Sequence, residues 1–341
     1  MLKLRRGTVV GTEPLVVEVG GERRAAWADE SMVGAAEAGD EVIVNTAAID
    51  LGLGSGGFDV VHVNLTRGLT GGETAAGIHV MKLNYSSLQH AVDPVEASLD
   101  SPPRPSRAVP VLVLPLHGHL APAAWAASAG SGRVGFIQAA GGGLPGTLSR
   151  DVAELLGRGL LAGHLTASPS YGGEREAISL VGALHAAAED LGWDAVIVGP
   201  GPGILGSETR YGHGGMAALD AAHSGLALGL PTLLSPRLSA ADPRPRHRGL
   251  SHHTAAVLEL LLGAVEVPLP AGAATLWPAD GGDPRAAIGV PHRVSEHPVD
   301  LDGYAASGLS TRTMGRDLAD DRLFFAAPLA AGAALKGSDP V

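Results

Sequence analysis

From residue 109 onward, short apolar runs alternate with Ala- and Leu-rich stretches, and this alternation narrows the choice of fold more than any other feature of the chain. The runs fall at 109–116, 134–139, 160–166, 195–198, 231–234 and 264–267. They are apolar throughout rather than at every second position, as expected of strands covered on both faces, and their separation of roughly 25 to 35 residues suits βα units. The pattern predicts an α/β domain over 108–276 with a doubly wound, mostly parallel, Rossmann-like sheet. Six units are too few for an eight-fold barrel. Beyond 276 the sequence is irregular, with strands expected at 291–299 and 309–316. The stretch 277–341 reads as a C-terminal extension packing on the core.

The first 66 residues follow a different rule. Short strands with glycine-bearing turns are expected at 3–10, 14–19, 23–28, 41–46 and 58–65. The tight step Ala38-Gly39-Asp40-Glu41-Val42 suits a small barrel, so this part predicts a five-stranded β-barrel-like module. A connecting segment occupies 67–107, with a helix expected near 88–98. Ser101-Pro102-Pro103-Arg104-Pro105 reads as an extended linker, because proline disfavours helix at itself and at the residue before it.

Composition bounds the partners. With 45% apolar and 17% charged residues the chain is globular. A net charge of -11 argues against nucleic acid as a partner, since that needs a clustered basic face. The absence of cysteine removes disulfides, thiolate metal sites and cysteine nucleophiles. The stretch 108–132 lacks Asp, Glu, Lys and Arg, but His117, His119 and three prolines interrupt it, so it reads as strand, loop and helix rather than a membrane span. The N-terminal residues pass directly into strand-like sequence with no apolar signal core. The expectation is a cytoplasmic protein with no membrane partner, homo-oligomer formation being left open.

The loops point to a site. Turns entering the expected strands are short, such as Gly130-Ser131-Gly132 and Gly157-Arg158-Gly159. Those leaving them are long and polar: His117-Gly118-His119, Gly141-Gly142-Gly143, Ser168 to Gly173, Gly199 to Gly215 and Ser235 to Thr254. In an open parallel sheet all exits lie on the carboxyl edge, where ligands bind at the reversal of strand order. The plain alternative is that long loops are simply polar, yet that does not explain why histidine and glycine collect on one edge.

Three segments carry chemistry. His117 and His119, two apart, would face the same side of an extended strand end and could share a divalent metal, a third ligand coming from His164, His213, Asp242, His252 or His253. Ordinary loop hydrogen bonding is the plain alternative. Gly201-Pro202-Gly203-Ile204-Leu205-Gly206 has the glycines of a dinucleotide fingerprint but not its context, because the next helix should start only near His213 or Gly214. Gly201, Gly203 and Gly206 could still cradle an anion, or simply form a turn. In the segment from Asp242 to Thr254, Arg244, Arg246, Arg248 and His247 surround Ser251, a suitable N-cap for a helix through Leu262. His252 and His253 would then lie in the first turn, mostly neutral beside the positive end of the helix dipole. Ser168, Ser170 and Tyr171 are candidate ligand contacts, with Glu174 and Glu176 opening the next helix. Neither serine lies in a G-x-S-x-G elbow.

Leu114-Pro-Leu-His117-Gly-His119, Gly199-Pro-Gly-Pro-Gly203-Ile-Leu-Gly206, Tyr211-Gly-His213-Gly-Gly215 and Arg246-His-Arg-Gly-Leu-Ser251-His252-His253-Thr254 together resemble a bacterial family known as domain of unknown function 3866. Asn64-Leu65-Thr66-Arg67-Gly68 and Thr313-Met314-Gly315-Arg316 add to the resemblance, which spans nearly the whole chain. It implies the domain plan and leaves the chemistry to the residues.

The resulting expectation is an enzyme, a hydrolase or group transferase, acting on a small anionic molecule such as a phosphorylated one. His252, His253 and His213 are the catalytic candidates. Arg246, Arg248, Gly201, Gly203, Gly206, Ser168, Ser170 and Tyr171 would bind the ligand, and His117 and His119 are the metal candidates. The alternative is a non-catalytic metabolite sensor whose β module engages a partner.

Overall fold

The computed structural model describes residues 3–52, 57–69, 80–97, 102–130, 132–280 and 282–335. The chain divides into two compact units, Met1–Asp93 and Pro94–Val341.

In the first unit, β1 (Leu4–Thr12), β2 (Leu15–Val19), β3 (Glu22–Trp27), β4 (Glu41–Asn45) and β5 (Asp59–Asn64) close into a barrel of order β1-β2-β3-β5-β4. Val9, Val17, Val42, Val44 and Val61 fill it, and the alternating residues face outward. Gly20 and Gly21, both with positive φ, make the two-residue turn between β2 and β3. Buried Asp40 accepts hydrogen bonds from Glu37 N, Asn64 Nδ2 and Arg67 Nε, each at 2.9 Å. Asn64 Oδ1 accepts from Thr66 N and Arg67 N. The Asn64-Leu65-Thr66-Arg67-Gly68 stretch is thus a polar clasp that ties the end of β5 to the turn entering β4. Two short helices, α1 (Glu30–Val33) and α2 (Ala47–Asp50), accompany the strands.

The helix expected near 88–98 is absent from its described part, 88–97. There β7 (His90–Ala91) pairs with β6 (Met81–Lys82), and Pro94 disfavours helix at Asp93. The Pro-rich stretch holds no helix or strand over 102–110; Ser101 lies outside the described residues.

The second unit carries an eight-stranded, all-parallel sheet of order β11-β10-β9-β12-β8-β13-β16-β17. Its strands are β8 (Val111–Val113), β9 (Val134–Ala139), β10 (Gly163–Ala167), β11 (Arg175–Ala177), β12 (Ala195–Pro200), β13 (Thr232–Leu234), β16 (Glu266–Pro270) and β17 (Arg293–His297). This is a doubly wound Rossmann-like fold. All six expected runs are strands, β17 is the strand expected at 291–299, and β11 is an additional member. β11 forms where Glu174 and Glu176 were expected to open a helix. Instead Glu176 accepts from Gly172 N and Glu174 from His164 N, and α5 (Leu180–Glu189) begins later, capped by Ser179.

Two small antiparallel pairs stand outside the main sheet. β14 (Leu238–Ser239) pairs with β15 (Gly249–Leu250), and β18 (Arg312–Thr313) pairs with β19 (Arg316–Asp317). The latter breaks the single strand expected at 309–316, because Met314 and Gly315 turn with positive φ. One face of the sheet is covered by α5, α6 (Ala217–Ala227), α7 (His252–Leu260) and α8 (Pro284–Ile288), the other by α3 (Leu120–Ser128), α4 (Arg150–Gly157), α9 (Leu301–Ala306) and α10 (Arg322–Ala334). The stretch 108–130 holds β8, a 3-10 turn and α3, and no helix among the described residues is long and apolar enough to cross a membrane.

From β8 the chain winds outward through β9, β10 and β11, returns with β12 between β9 and β8, then crosses to β13, β16 and β17 on the other side. The winding therefore reverses beside β8, where crossovers diverge and a crevice opens at the carboxyl ends of the strands.

Candidate functional site

A cavity of about 720 Å³ occupies this reversal, built by the exits of β8, β12 and β13, by Asp151 on α4 and by the β18–β19 turn. Four guanidinium groups, Arg237, Arg244, Arg246 and Arg312, line it against two carboxylates, Asp151 and Glu208. The glycine- and histidine-rich exits thus converge in part. The exit of β10 does not contribute, and neither do Gly141, Gly142 and Gly143.

The arginines are organised by Asp242, which is fully buried. Arg244 grips it through Nε and Nη2, both at 2.9 Å. Arg237 Nη2 lies 3.2 Å away and Arg316 Nη2 3.4 Å away. Burial pushes the Asp242 carboxyl up, but the hydrogen bonds and charge of Arg244, with the charge of Arg237, hold it well below the ordinary range. Arg237 is itself buried, and its desolvation brings the guanidinium down to about 10. Its backbone is pinned to the start of α7: Arg237 N donates to Thr254 Oγ1, and Ser251 N donates to Arg237 O, both at 2.9 Å. Arg246 is held more loosely. Among the described residues the carboxylate that reaches it is Glu208, at 3.8 Å and highly exposed.

Ser251 caps α7 by accepting from His253 N, and this places His252 and His253 in the first turn, as the sequence predicts. The exit of β12 brings His213 against them: the His213 and His253 rings stack at 3.6 Å, and the His252 ring lies 5.5 and 4.4 Å from them. His247 joins at 4.8 Å from both His252 and His253, its Nδ1 paired with Ser251 Oγ at 2.7 Å. Burial first, then the charge of Arg237, lowers His247 to about 3; burial also lowers His213, His252 and His253. His213 Nε2 donates to Arg210 O at 3.0 Å, which leaves Nδ1 as a lone pair. That atom and His252 Nε2 are buried with no hydrogen-bond partner among the described residues.

His117 and His119 do not meet as a ligand pair. The expected extended geometry is replaced by a 3-10 turn over His117–His119, which sends successive side chains about 120° apart. His117 lines the cavity, with Nδ1 donating to Pro200 O at 3.1 Å and Ser149 Oγ 2.8 Å from Nε2. His119 is fully buried, 3.1 Å from Ser235 Oγ and edge-on to Phe324. The Ser149–His117 contact looks like a nucleophile and its base, but Ser149 is buried and caps α4 by accepting from Val152 N. Beside His117, burial raises the Asp151 carboxyl.

Several chosen residues lie elsewhere. Arg248 is taken by Asp280 at 2.7 Å and by Asp242 O, outside the cavity. Ser168, Ser170 and Tyr171 do not line it either: Ser170 Oγ donates to Ala139 O, and Tyr171 O accepts from Gly146 N. Gly203 and Gly206 do line the cavity. Gly201 does not, since a Cβ there would lie 2.3 Å from Gln138 Nε2, and Gly142 is pressed on Gly201 O in turn. Close approach of the Gln138 side chain and of neighbouring backbone explains Gly201 and Gly142 better than an anion cradle. Arg237 and Asp151 were not foreseen. Arg237 had a signal, a single arginine inside the otherwise apolar exit Leu233-Leu234-Ser235-Pro236-Arg237-Leu238.

The family model described as Protein of unknown function (DUF3866) matches residues 25–332. The chain belongs to this family. The match takes in every residue of the cavity, and the motifs that line or adjoin it are those that carried the resemblance. No curated protein and no solved structure matches the chain.

Proposed function

We propose that the second unit is an enzyme, a hydrolase or group transferase, that binds a small anion of the phosphate or carboxylate type in this cavity. The observation that carries the reading is the excess of guanidinium over carboxylate at the strand-order reversal, with Arg246 loosely engaged and neutral imidazoles beside it. Guanidinium groups match phosphate and carboxylate oxygens in pairs. Arg237 and Arg244 are fixed by Asp242, so their charge is pre-organised, while Arg246 is free to close on the guest. His253 lines the cavity and is held neutral, by burial first and then by the cationic groups around it, so it accepts a proton once a bound anion offsets that charge. The reading places the protein in the cytoplasm, where phosphorylated metabolites are abundant.

Calorimetric titration with inorganic phosphate and pyrophosphate tests binding. Arg246→Ala should weaken it roughly tenfold to hundredfold. Turnover is then screened over phosphorylated and carboxylated metabolites, where His253→Ala should lower kcat by about two to four orders of magnitude with KM little changed. Binding without turnover for any substrate would select the sensor reading, and unchanged phosphate affinity in Arg246→Ala would remove the site.

A further inference from the structure

We infer that His213, His252 and His253 form a binding site for a single zinc-like divalent cation, and that this cation and the anion bind cooperatively. The inference rests on the anion reading above for its second half only, and with the cation bound His253 serves as a ligand in place of the proton acceptor proposed there. One ligand nitrogen from each of the three rings lies within 4.8 Å of the other two. Imidazole suits zinc, cobalt and nickel, and three histidines leave at least one coordination position open. His213 is more than nine-tenths buried, and its Nδ1, like His252 Nε2, has no partner among the described residues. The tautomer is set in its favour, because Nε2 donates to Arg210 O. A carbonyl holding one nitrogen so that the other can ligate is the usual outer contact of a metal-bound histidine.

Closing three nitrogens on one ion needs separations of about 3.3 Å for bonds of about 2.0 to 2.1 Å. The rings must therefore draw together, and the His213–His253 stack must open. The Ser251 cap holds the backbone of His252 and His253, and the hydrogen bonds His213 N to Tyr211 O and Gly214 N to Leu205 O hold that of His213. Gly215 leaves room between them: a Cβ there would lie 3.1 Å from His213 Nδ1 and 3.3 Å from His253 Nδ1.

Charge supplies the coupling. Three neutral imidazoles leave the ion's double charge uncompensated, and Arg237 Nη1 stands 3.3 Å from His253 Nδ1. An anion at the open position, held at its far side by the arginines, relieves both. By reciprocity each ligand then raises the affinity of the other by the same factor.

The test is titration of the full-length, chelator-treated protein with Co²⁺, with and without inorganic phosphate, followed by visible absorption. One equivalent of Co²⁺ giving the d–d bands of a four- or five-coordinate ion is the expected result, with affinity raised at least tenfold by phosphate. The bands should be lost in His213→Gln and in His252→Gln, each checked for folding by circular dichroism, and kept in His117→Ala. No saturable Co²⁺ binding, or binding that survives the His213→Gln/His252→Gln/His253→Gln triple variant, would overturn the metal site. If phosphate still bound the metal-free protein, the anion reading would stand. Co²⁺ binding indifferent to phosphate would overturn the coupling and leave the ion.

Discussion

His119 is fully buried, 3.1 Å from Ser235 Oγ and edge-on to Phe324, and this burial has a consequence for stability. The imidazole is pushed down to about 3 from its ordinary 6.5 by burial, then by the charge of Arg237. In the unfolded chain it takes up its proton near 6.5. Between these values the unfolded state binds more protons, so the contribution is full above 6.5 and is lost as pH falls towards 3. Denaturant unfolding followed from pH 7 to pH 4 should show the effect. His119→Asn, which can still meet Ser235, should flatten the dependence by up to about 1.4 kcal/mol per pH unit. Parallel curves for the two proteins would mean that the folded imidazole is not held neutral. His164 and His247, also lowered, leave a residual slope in the variant.

Among the elements, the central sheet shows which sequence signals can be read and which cannot. β9 and β10 meet at Gly135 and Gly163, partners in register, and the buried Trp193 indole lies across both. A Cβ at Gly135 would fall 1.9 Å from Trp193 Cε3, and one at Gly163 would fall 3.0 Å from Cζ2. Gly135→Ala should therefore destabilise the protein by about 1 to 3 kcal/mol, the range for overpacking a filled core, seen as a lower Tm; an unchanged Tm would show that the indole can move aside. The two glycine partners of Trp193 were not legible, because register pairs residues 28 positions apart that no local pattern connects. The same holds at the site. Strand existence followed from continuous apolar runs, and the α7 cap from Ser251. The divergence of His117 and His119 onto Ser149 and Ser235, and the burial of Arg237 beside Asp242, depend on neighbours from other elements, which no local pattern in the sequence displays. The helix expected near 88–98 is absent from 88–97 for a local reason, Pro94, which disfavours helix at Asp93.

At the scale of the whole molecule, the cavity, the histidine cluster and the Asp242 network are all drawn from residues of one unit. Every lining residue falls between Leu116 and Met314, inside Pro94–Val341. The barrel of Met1–Asp93 has its own apolar interior and its own polar clasp at Asp40. A unit with a closed sheet and a filled interior leaves no unpaired edge to be satisfied elsewhere. Ligand binding should therefore separate from the barrel: a fragment beginning at Pro94 should bind inorganic phosphate within about threefold of the full chain, under the roughly 0.6 kcal/mol expected when no contact is lost. The comparison is calorimetric, on protein first shown by circular dichroism to keep its α/β signal. A folded fragment that bound more than tenfold more weakly would mean that the barrel completes the site, and the barrel's outward-facing residues would become the next to substitute.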